Sequence, residues 1–182
     1  SANHIFDLTY GYSSTFSSSA NVQNAKKLNI YNQMAQVLVG FDAENNVREF
    51  DRDGDLTSGT KLDKCVFVNY SRLLYKDEIK KGTYSLTISG SGAQYTIADH
   101  GAANDYRTNS PAGEYGILYT GSAAVAGTGV GLIYYQAGIA VLEAAAPVFD
   151  AASTFSGTLA ITGVADYVRS KWIDDSFNNT TE

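Results

Sequence analysis

Three aspartates occupy alternate positions in the segment FDRDGDL, residues 50–56, with a glycine between the second and the third. Calcium takes about six to eight oxygen ligands, and carboxylates at every second position can turn toward one ion. Asp51, Asp53 and Asp55 are therefore the candidate ligands of a structural calcium ion, the one cofactor that the sequence suggests. Further oxygens are available from neighbouring acidic residues, namely Asp42, Glu44 and Asp63.

The same segment has the features of a polar turn, which is the interpretation we prefer. An EF-hand loop counted from Asp51 needs glycine at its sixth position and glutamate at its twelfth, and these positions hold Leu56 and Leu62. Asp-Gly is also a strong turn signal, and Asp53-Gly54 lies between two apolar residues. The segment thus predicts a turn between two strands, with a calcium site of another type as the alternative.

A second group of residues has the types needed for acid–base catalysis. His100 follows Asp99 directly and Asp105 comes shortly after, and imidazole has an ordinary pKa that suits a general base. A hydrolase would also need a hydroxyl nucleophile, but the chain contains no Gly-x-Ser-x-Gly motif. A histidine beside an aspartate in a loop more often stabilises a turn. We therefore predict that the protein is not an enzyme, and keep a hydrolase as the least favoured alternative.

Tyrosine is abundant, with 13 Tyr and 8 Phe against a single Trp. Exposed tyrosine rings can stack on sugars, so a carbohydrate-binding adhesin or fibre module is the main functional alternative. The candidate rings are those of Tyr106, Tyr115, Tyr134 and Tyr135. Tyrosines at alternate positions also suit half-buried β-strands, and we regard packing as the commoner reason for their presence.

Charge, cysteine content and hydropathy exclude several classes of protein. The net charge is −6, so direct binding of nucleic acid, which needs a basic surface, is not expected. Cys65 is the single cysteine, which leaves no intramolecular disulfide, and its apolar neighbours predict a buried, inert thiol. No stretch approaches the roughly 20 apolar residues of a membrane-spanning helix, so no membrane partner is expected.

The clearest local structure is a helix within residues 21–40. Apolar residues recur three and four positions apart along one stripe, formed by Leu28, Tyr31, Met34, Ala35 and Leu38. Asn21 suits the N-cap, and Gly40 suits the left-handed conformation just beyond the helix end. Before the helix, the Ser/Tyr-rich residues 9–20 show no periodicity, which predicts an irregular arm over residues 1–20.

From residue 41 onward the pattern indicates β-strands and glycine-rich turns. The candidate strands are Lys64–Tyr70, Gly82–Ile88 with Tyr84, Leu86 and Ile88 on one face, Glu114–Thr120, Val130–Leu142 and Thr154–Ile161. Residues 121–131 predict a hairpin tip, and residues 164–177 a short C-terminal helix. We therefore predict a mainly β fold, an antiparallel β-sandwich with the N-terminal helix packed on it. It would form a single domain over residues 21–177, followed by a truncated tail at 178–182.

Four segments resemble the large virion structural proteins of contractile-tailed marine bacteriophages. They are VFVNYSRLLYKDEIKKGTYSLT from Val66, NSPAGEYGILY from Asn109, GLIYYQAGIAVL from Gly131 and SFNNTTE from Ser176. The resemblance implies a location in the virion, associated with the tail or baseplate, and a longer chain than this one. It also implies that the partners are other virion proteins and copies of the chain itself. The resulting functional prediction is a non-catalytic assembly module that works through protein–protein contacts.

Overall fold

The computed structural model describes residues 4–15, 22–90, 93–145 and 148 of the chain. These residues form one helix and nine strands. Their bounds are β1 (Phe6–Tyr12), α1 (Val22–Leu38), β2 (Phe50–Asp51), β3 (Lys61–Leu62), β4 (Lys64–Tyr70), β5 (Ser85–Gly90), β6 (Ala93–Ala98), β7 (Tyr115–Thr120), β8 (Gly129–Tyr134) and β9 (Ile139–Glu143).

Seven of these strands form one antiparallel sheet in the order β1-β4-β9-β8-β7-β6-β5, and β2 pairs with β3 in a separate ribbon. The mainly β, antiparallel fold with one N-terminal helix is therefore confirmed. A β-sandwich is not confirmed, because the described strands build a single curled sheet rather than two sheets packed face to face.

The inner face of the curl holds one hydrophobic cluster. Tyr10 of β1, Leu118 of β7 and Leu86 of β5 belong to this cluster, although β1 and β5 are the outermost strands of the sheet. Side chains from opposite ends of the strand order can share a cluster only if the sheet bends round on itself. The curl thus buries apolar surface that a flat sheet would leave exposed to water.

Helix α1 and the segment after it cover the outer face. Tyr31 and Leu38 of the helix pack in one cluster with Phe67 of β4 and Leu132 of β8. Because both faces are covered, β8 is buried along its whole length. Cys65 is fully buried in the same cluster, and burial raises the pKa of its thiol well above the ordinary value, in agreement with the predicted inert cysteine.

The predicted helical stripe is confirmed. Its members are buried or partly buried by the sheet, namely Leu28, Tyr31, Met34, Ala35 and Leu38. Gly40 has a φ of 75°, and its N–H donates a hydrogen bond to the Ala35 carbonyl at 2.9 Å, as expected for a left-handed residue that ends a helix. The predicted N-cap, Asn21, lies outside the described residues.

The irregular arm predicted for residues 1–20 is wrong for residues 6–12, which form β1. This strand pairs antiparallel with β4, with Phe6 opposite Tyr70 and Tyr12 opposite Lys64. The apolar residues of β1 stand at every second position and face the inner cluster: Phe6, Leu8, Tyr10 and Tyr12. This alternation is present in the sequence, but the serines, glycine and threonine around it resemble a loop in composition.

The single strand predicted over Val130–Leu142 is also wrong, because the chain turns in its middle. Strands β8 and β9 are antiparallel neighbours joined by a tight turn. Gly138 takes the positive φ of 66° that this turn requires, and its N–H donates to the Tyr134 carbonyl at 2.9 Å. The other predicted strands of the described region are found as β4, β5 and β7, and residues 121–128 join β7 to β8 as the predicted hairpin tip.

The predictions for the C-terminal part lie outside the described residues. They are the strand Thr154–Ile161, the helix over 164–177, the domain end at residue 177 and the truncated tail at 178–182. Within the described ranges, no helix has the length and apolar character that crossing a membrane requires.

Candidate functional site

The three predicted calcium ligands come together in the aspartate loop, residues 51–61, which joins β2 to β3. Oxygens of Asp51, Asp53 and Asp55 all lie within 4.8 Å of one another, with Asp51 buried and the other two exposed. The other acidic residues considered as oxygen donors are not part of this group. Asp42, for example, accepts the N–H groups of Glu44 and Asn46 in a turn of its own.

Each carboxylate of the aspartate loop accepts backbone N–H groups from the residues that follow it. Asp51 accepts the N–H of Asp53 at 3.0 Å, and Asp53 accepts the N–H of Asp55 at 3.2 Å. Asp55 in turn accepts the N–H groups of Thr57 at 2.8 Å and Ser58 at 2.9 Å. Successive side-chain-to-backbone bonds of this kind define a polar turn between two strands. The predicted turn between two strands is therefore confirmed, whereas the choice between a plain turn and a calcium site is not decided by these bonds.

A cation is already provided by the protein itself. The Lys61 ammonium forms an ion pair with Asp51 Oδ2 and also donates to the Ser58 carbonyl at 3.2 Å. Burial raises the pKa of Asp51 above its ordinary value, and the hydrogen bond from Lys61 opposes that rise. A calcium ion bound by Asp51 would have to displace this ammonium. Calcium binding by the loop stays a prediction.

The exposed carboxylates are stabilised in their charged form by hydrogen bonds. The N–H groups of Ser58 and Thr57 hold the pKa of Asp55 well below its ordinary value. The pKa of Asp53 is lowered by its hydrogen bonds with the Asp51 side chain and the Asp55 N–H. Both carboxylates are therefore ionised near neutral pH, which suits a cation but is equally explained by the turn.

The backbone of the aspartate loop is anchored from two directions. The Gly54 carbonyl lies 2.9 Å from both the Tyr115 hydroxyl and the Asn109 amide nitrogen. On the other side, Arg52 donates to both oxygens of Glu143 on β9, each at 2.7 Å. Both contacts come from the same guanidinium nitrogen, Nη2, and such charge-assisted bonds are stronger than those between neutral groups. The loop is thus held to β7, β9 and the segment before β7.

Leu56 has a φ of 65°, a left-handed conformation that is costly for a residue with a branched side chain. It occupies the position that an EF-hand fills with glycine for the same sharp bend. The chain therefore adopts the left-handed conformation at this position although the residue is leucine. In the sequence, the same leucine was an argument against an EF-hand loop.

The residues of the predicted catalytic alternative are directed to different partners. Asp99 is buried and accepts hydrogen bonds from the Gly82 N–H at 2.7 Å and the Tyr135 hydroxyl at 2.9 Å. This carboxylate therefore joins the start of β5 to the end of β8. These two hydrogen bonds give Asp99 a structural role. Both partners are distant in the sequence, so the role could not be predicted from the residues next to Asp99.

His100 and Asp105 interact with partners other than those of Asp99. The His100 Nε2 donates to the Gly121 carbonyl at 2.7 Å, which ties the loop after β6 to the hairpin tip after β7. Asp105 forms an exposed ion pair with Arg107 at 2.7 Å. Within the described part of the chain, each of the three predicted acid–base groups therefore has a structural partner of its own.

Three of the four candidate sugar-stacking rings are packing residues. Tyr115, Tyr134 and Tyr135 have no exposed surface, and the first two stack with their ring centroids 4.9 Å apart. Tyr106 is 37% exposed and lies 5.1 Å from the Lys81 ammonium. The interpretation of the tyrosines as strand packing is confirmed for the three buried rings.

A groove that the sequence did not predict lies between the beginning of β1 and the beginning of β5. This apolar groove has a volume of about 590 Å³, and Tyr70 and Tyr84 meet in it through a hydroxyl-to-hydroxyl distance of 2.7 Å. Its apolar walls are formed by Ile5, Phe6, Tyr70, Leu74, Ile79, Tyr84 and Leu86. Next to it, Leu73 is 94% exposed and Leu74 is 56% exposed.

Strand β5 is the outermost strand on its side of the sheet. Among the described residues its only strand partner is β6. Its other edge, here called the β5 edge, has no strand paired to it there and borders the apolar groove at its beginning. The sequence from Thr83 to Ala98 contains no charged residue and no proline. Edge strands are usually protected by charges, proline, a bulge or a covering element. The signal was present in the sequence as an uncharged run, but only the strand order shows that it lies at an edge.

The chain was also compared with known proteins. No family model, no curated protein and no solved structure matches it.

Proposed function

We propose that this chain is a non-catalytic structural module of a tailed-bacteriophage virion. It acts through contacts with other virion proteins and with copies of itself. The observation that carries the proposal is the uncharged β5 edge beside an apolar groove with exposed leucines at its rim. The virion is proposed from the resemblance of the four sequence segments, and the mode of action from this surface.

The surface has the properties expected of a site where another chain docks. Leu73, Leu74 and Ile5 expose 94%, 56% and 44% of their surface, in a region where the neighbouring groove is also apolar. Exposed apolar patches and unpaired strand edges are both costly in isolation, because they promote unspecific association. A partner that covers both the apolar patch and the strand edge would explain why they occur together.

The polar residues that raised other functions support the same proposal, because their contacts are structural. The aspartate loop bonds to its own backbone, Asp99 joins β5 to β8, and His100 joins two loops. A rigid scaffold held by such contacts is what a virion subunit needs, because many modest interfaces must keep their geometry in every copy.

Electron cryomicroscopy of the native particle that contains this chain tests the proposal. Copies packed against one another or against other virion proteins, with the β5 edge covered, are the expected result. A chain that stands alone as a knob at a distal tip, with the groove open to solvent, would overturn it in favour of the carbohydrate-binding module. Binding to a glycan array that is lost in Tyr106→Ala would likewise favour the carbohydrate-binding module over the assembly role.

A further inference from the structure

We propose that the partner of the β5 edge is the β5 edge of a second copy of this chain. The two strands would pair antiparallel about a two-fold axis at Thr87, which joins two sheets into one. This inference rests on the proposed assembly function and specifies one of its partners. Four features of the described residues lead to it.

The first feature is the direction of the Thr87 backbone. Asp99 N–H donates to the Tyr84 carbonyl, so these two residues form a hydrogen-bonded pair of the antiparallel β5–β6 ladder. Hydrogen-bonded and non-hydrogen-bonded pairs alternate along such a ladder. Thr87, opposite Thr96, is therefore in a non-hydrogen-bonded pair, consistent with the 3.2 Å between their hydroxyl oxygens. The N–H and C=O of Thr87 consequently point away from β6, toward the outer edge.

The second feature is self-complementarity. A two-fold axis perpendicular to two identical strands makes them antiparallel, and the same surface is used by both copies. With Thr87 on the axis, the backbone of Ser85 faces that of Ser89 in the second copy. All of these residues direct their N–H and C=O groups outward by the same alternation. The backbone groups of the whole edge can thus be satisfied by an identical strand.

The third feature is charge. Strand β5 and its neighbour β6 carry no charged side chain, so pairing two copies brings no like charges together across the axis. The charged residues that line the adjacent groove are Glu78 and Lys80, one of each sign. Two copies of this surface therefore meet without net repulsion, although the chain as a whole is negatively charged.

The fourth feature is the position of the groove. Ser85 and Leu86 belong to β5 and also line the apolar groove, so a strand laid along the β5 edge runs beside its opening. Backbone pairing and burial of apolar surface would then occur together. This is the combination by which added strands gain both affinity and specificity.

The first part of the test is the mass of the whole chain over a range of concentrations, measured by sedimentation velocity. We expect a dimer that dissociates on dilution. Thr87→Pro removes the outward N–H and leaves the β5–β6 ladder bonded, so it should raise the dimer dissociation constant about tenfold or more. Thr87→Val keeps the N–H and is the matched control, and it should leave the dissociation constant within about threefold of wild type. Circular dichroism checks that all variants are folded.

The second part of the test identifies the partner as the same edge of another copy. The side chains of Thr87 would be neighbours across the axis, so Thr87→Lys alone and Thr87→Glu alone should each weaken the dimer. An equal mixture of the two variants should restore it, because each pair then joins opposite charges. Restoration by mixing would not occur if β5 paired with a different segment.

The inference is overturned if the chain stays monomeric at all concentrations, or if Thr87→Pro and Thr87→Val dimerise equally. Either result leaves the proposed function intact when the native particle shows the β5 edge covered by a different virion protein. If the particle instead shows an isolated distal knob while the purified chain dimerises through β5, the proposed function fails and the pairing stands.

Discussion

The Tyr31 hydroxyl connects helix α1 to the ribbon that carries the aspartate loop. It donates to the Leu62 carbonyl at 2.7 Å and accepts the Phe50 N–H at 3.1 Å. Phe50 and Leu62 are also the facing residues of β2 and β3. Tyr31 is only 1% exposed, so water has almost no access to either backbone group. Removal of this hydroxyl should therefore weaken both the ribbon and the helix contact.

We expect Tyr31→Phe to lower the free energy of unfolding by about 2 kcal/mol. The value is the middle of the range of about 1–3 kcal/mol for a buried polar group that loses its hydrogen-bond partner. The ring itself is kept, including its edge-to-face contact with Phe50 at 5.4 Å, so loss of apolar packing contributes little. For a chain of this size the loss corresponds to a fall in Tm of roughly 4–8 °C.

The assay is urea-induced unfolding followed by circular dichroism, with Tyr134→Phe as the matched control. Tyr134 is fully buried in the same outer-face cluster, but its hydroxyl has no hydrogen-bond partner among the described residues. Its removal should change the stability by less than about 0.5 kcal/mol or raise it. Equal losses for the two variants, or no loss for Tyr31→Phe, would refute the assigned role of the Tyr31 hydroxyl.

Three further predictions concern the aspartate loop and the turn between β8 and β9. Millimolar calcium should leave Tm unchanged, because Lys61 already pairs with the buried carboxylate; a rise in Tm that is lost in Asp53→Asn would instead establish a calcium site. The folded-state pKa of Asp55 is lowered, so its stabilising effect is complete above the ordinary value of 3.8 and is lost as the pH falls below it. In urea titrations between about pH 5 and pH 2.5, Asp55→Asn should therefore lose less stability than wild type on acidification. Gly138→Ala should cost about 2–4 kcal/mol, because φ is 66° and the new methyl group would meet the Tyr75 ring. Gly101→Ala has a similar φ but open space around it, and should cost only about 1–2 kcal/mol in the same unfolding assay.

The features that the sequence predicted correctly depend on neighbouring residues. Strand β4 has the predicted bounds because its apolar, β-branched run is short and ends in polar residues. Gly40 and the aspartate loop were predicted from the conformational preference of single residues and from side-chain bonds over two or three positions. In each case the energetic preference is contained within a few residues, so a short window of sequence carries it.

The features that the sequence did not reveal depend on residues far apart in the chain. Strand β4 pairs with β9, and Cys65 stands opposite Glu143. Asp99 is a second example, because its buried carboxylate accepts a hydrogen bond from Tyr135, which lies 36 positions further along the chain. Loop length and composition do not specify such pairings. The acid–base hypothesis arose because the partner that explains Asp99 could not be identified from its neighbours.

The edge position of β5 also bears on how assembly and folding are linked. The hairpin β5–β6 is joined to the rest of the sheet through the facing pairs Ile97–Thr120 and Ala98–Tyr119, at one end of β6. An isolated two-stranded hairpin is only marginally stable in water, and a third strand with an apolar face adds the stability it lacks. The remainder of β5 therefore depends on its inner-face contacts, chiefly Leu86 and Ile88. A second strand on the β5 edge would add backbone hydrogen bonds on the side of β5 that has no strand partner among the described residues, so docking would stabilise the same residues that form the contact. An uncharged edge is then consistent with a surface that is completed in the assembly rather than in the single chain.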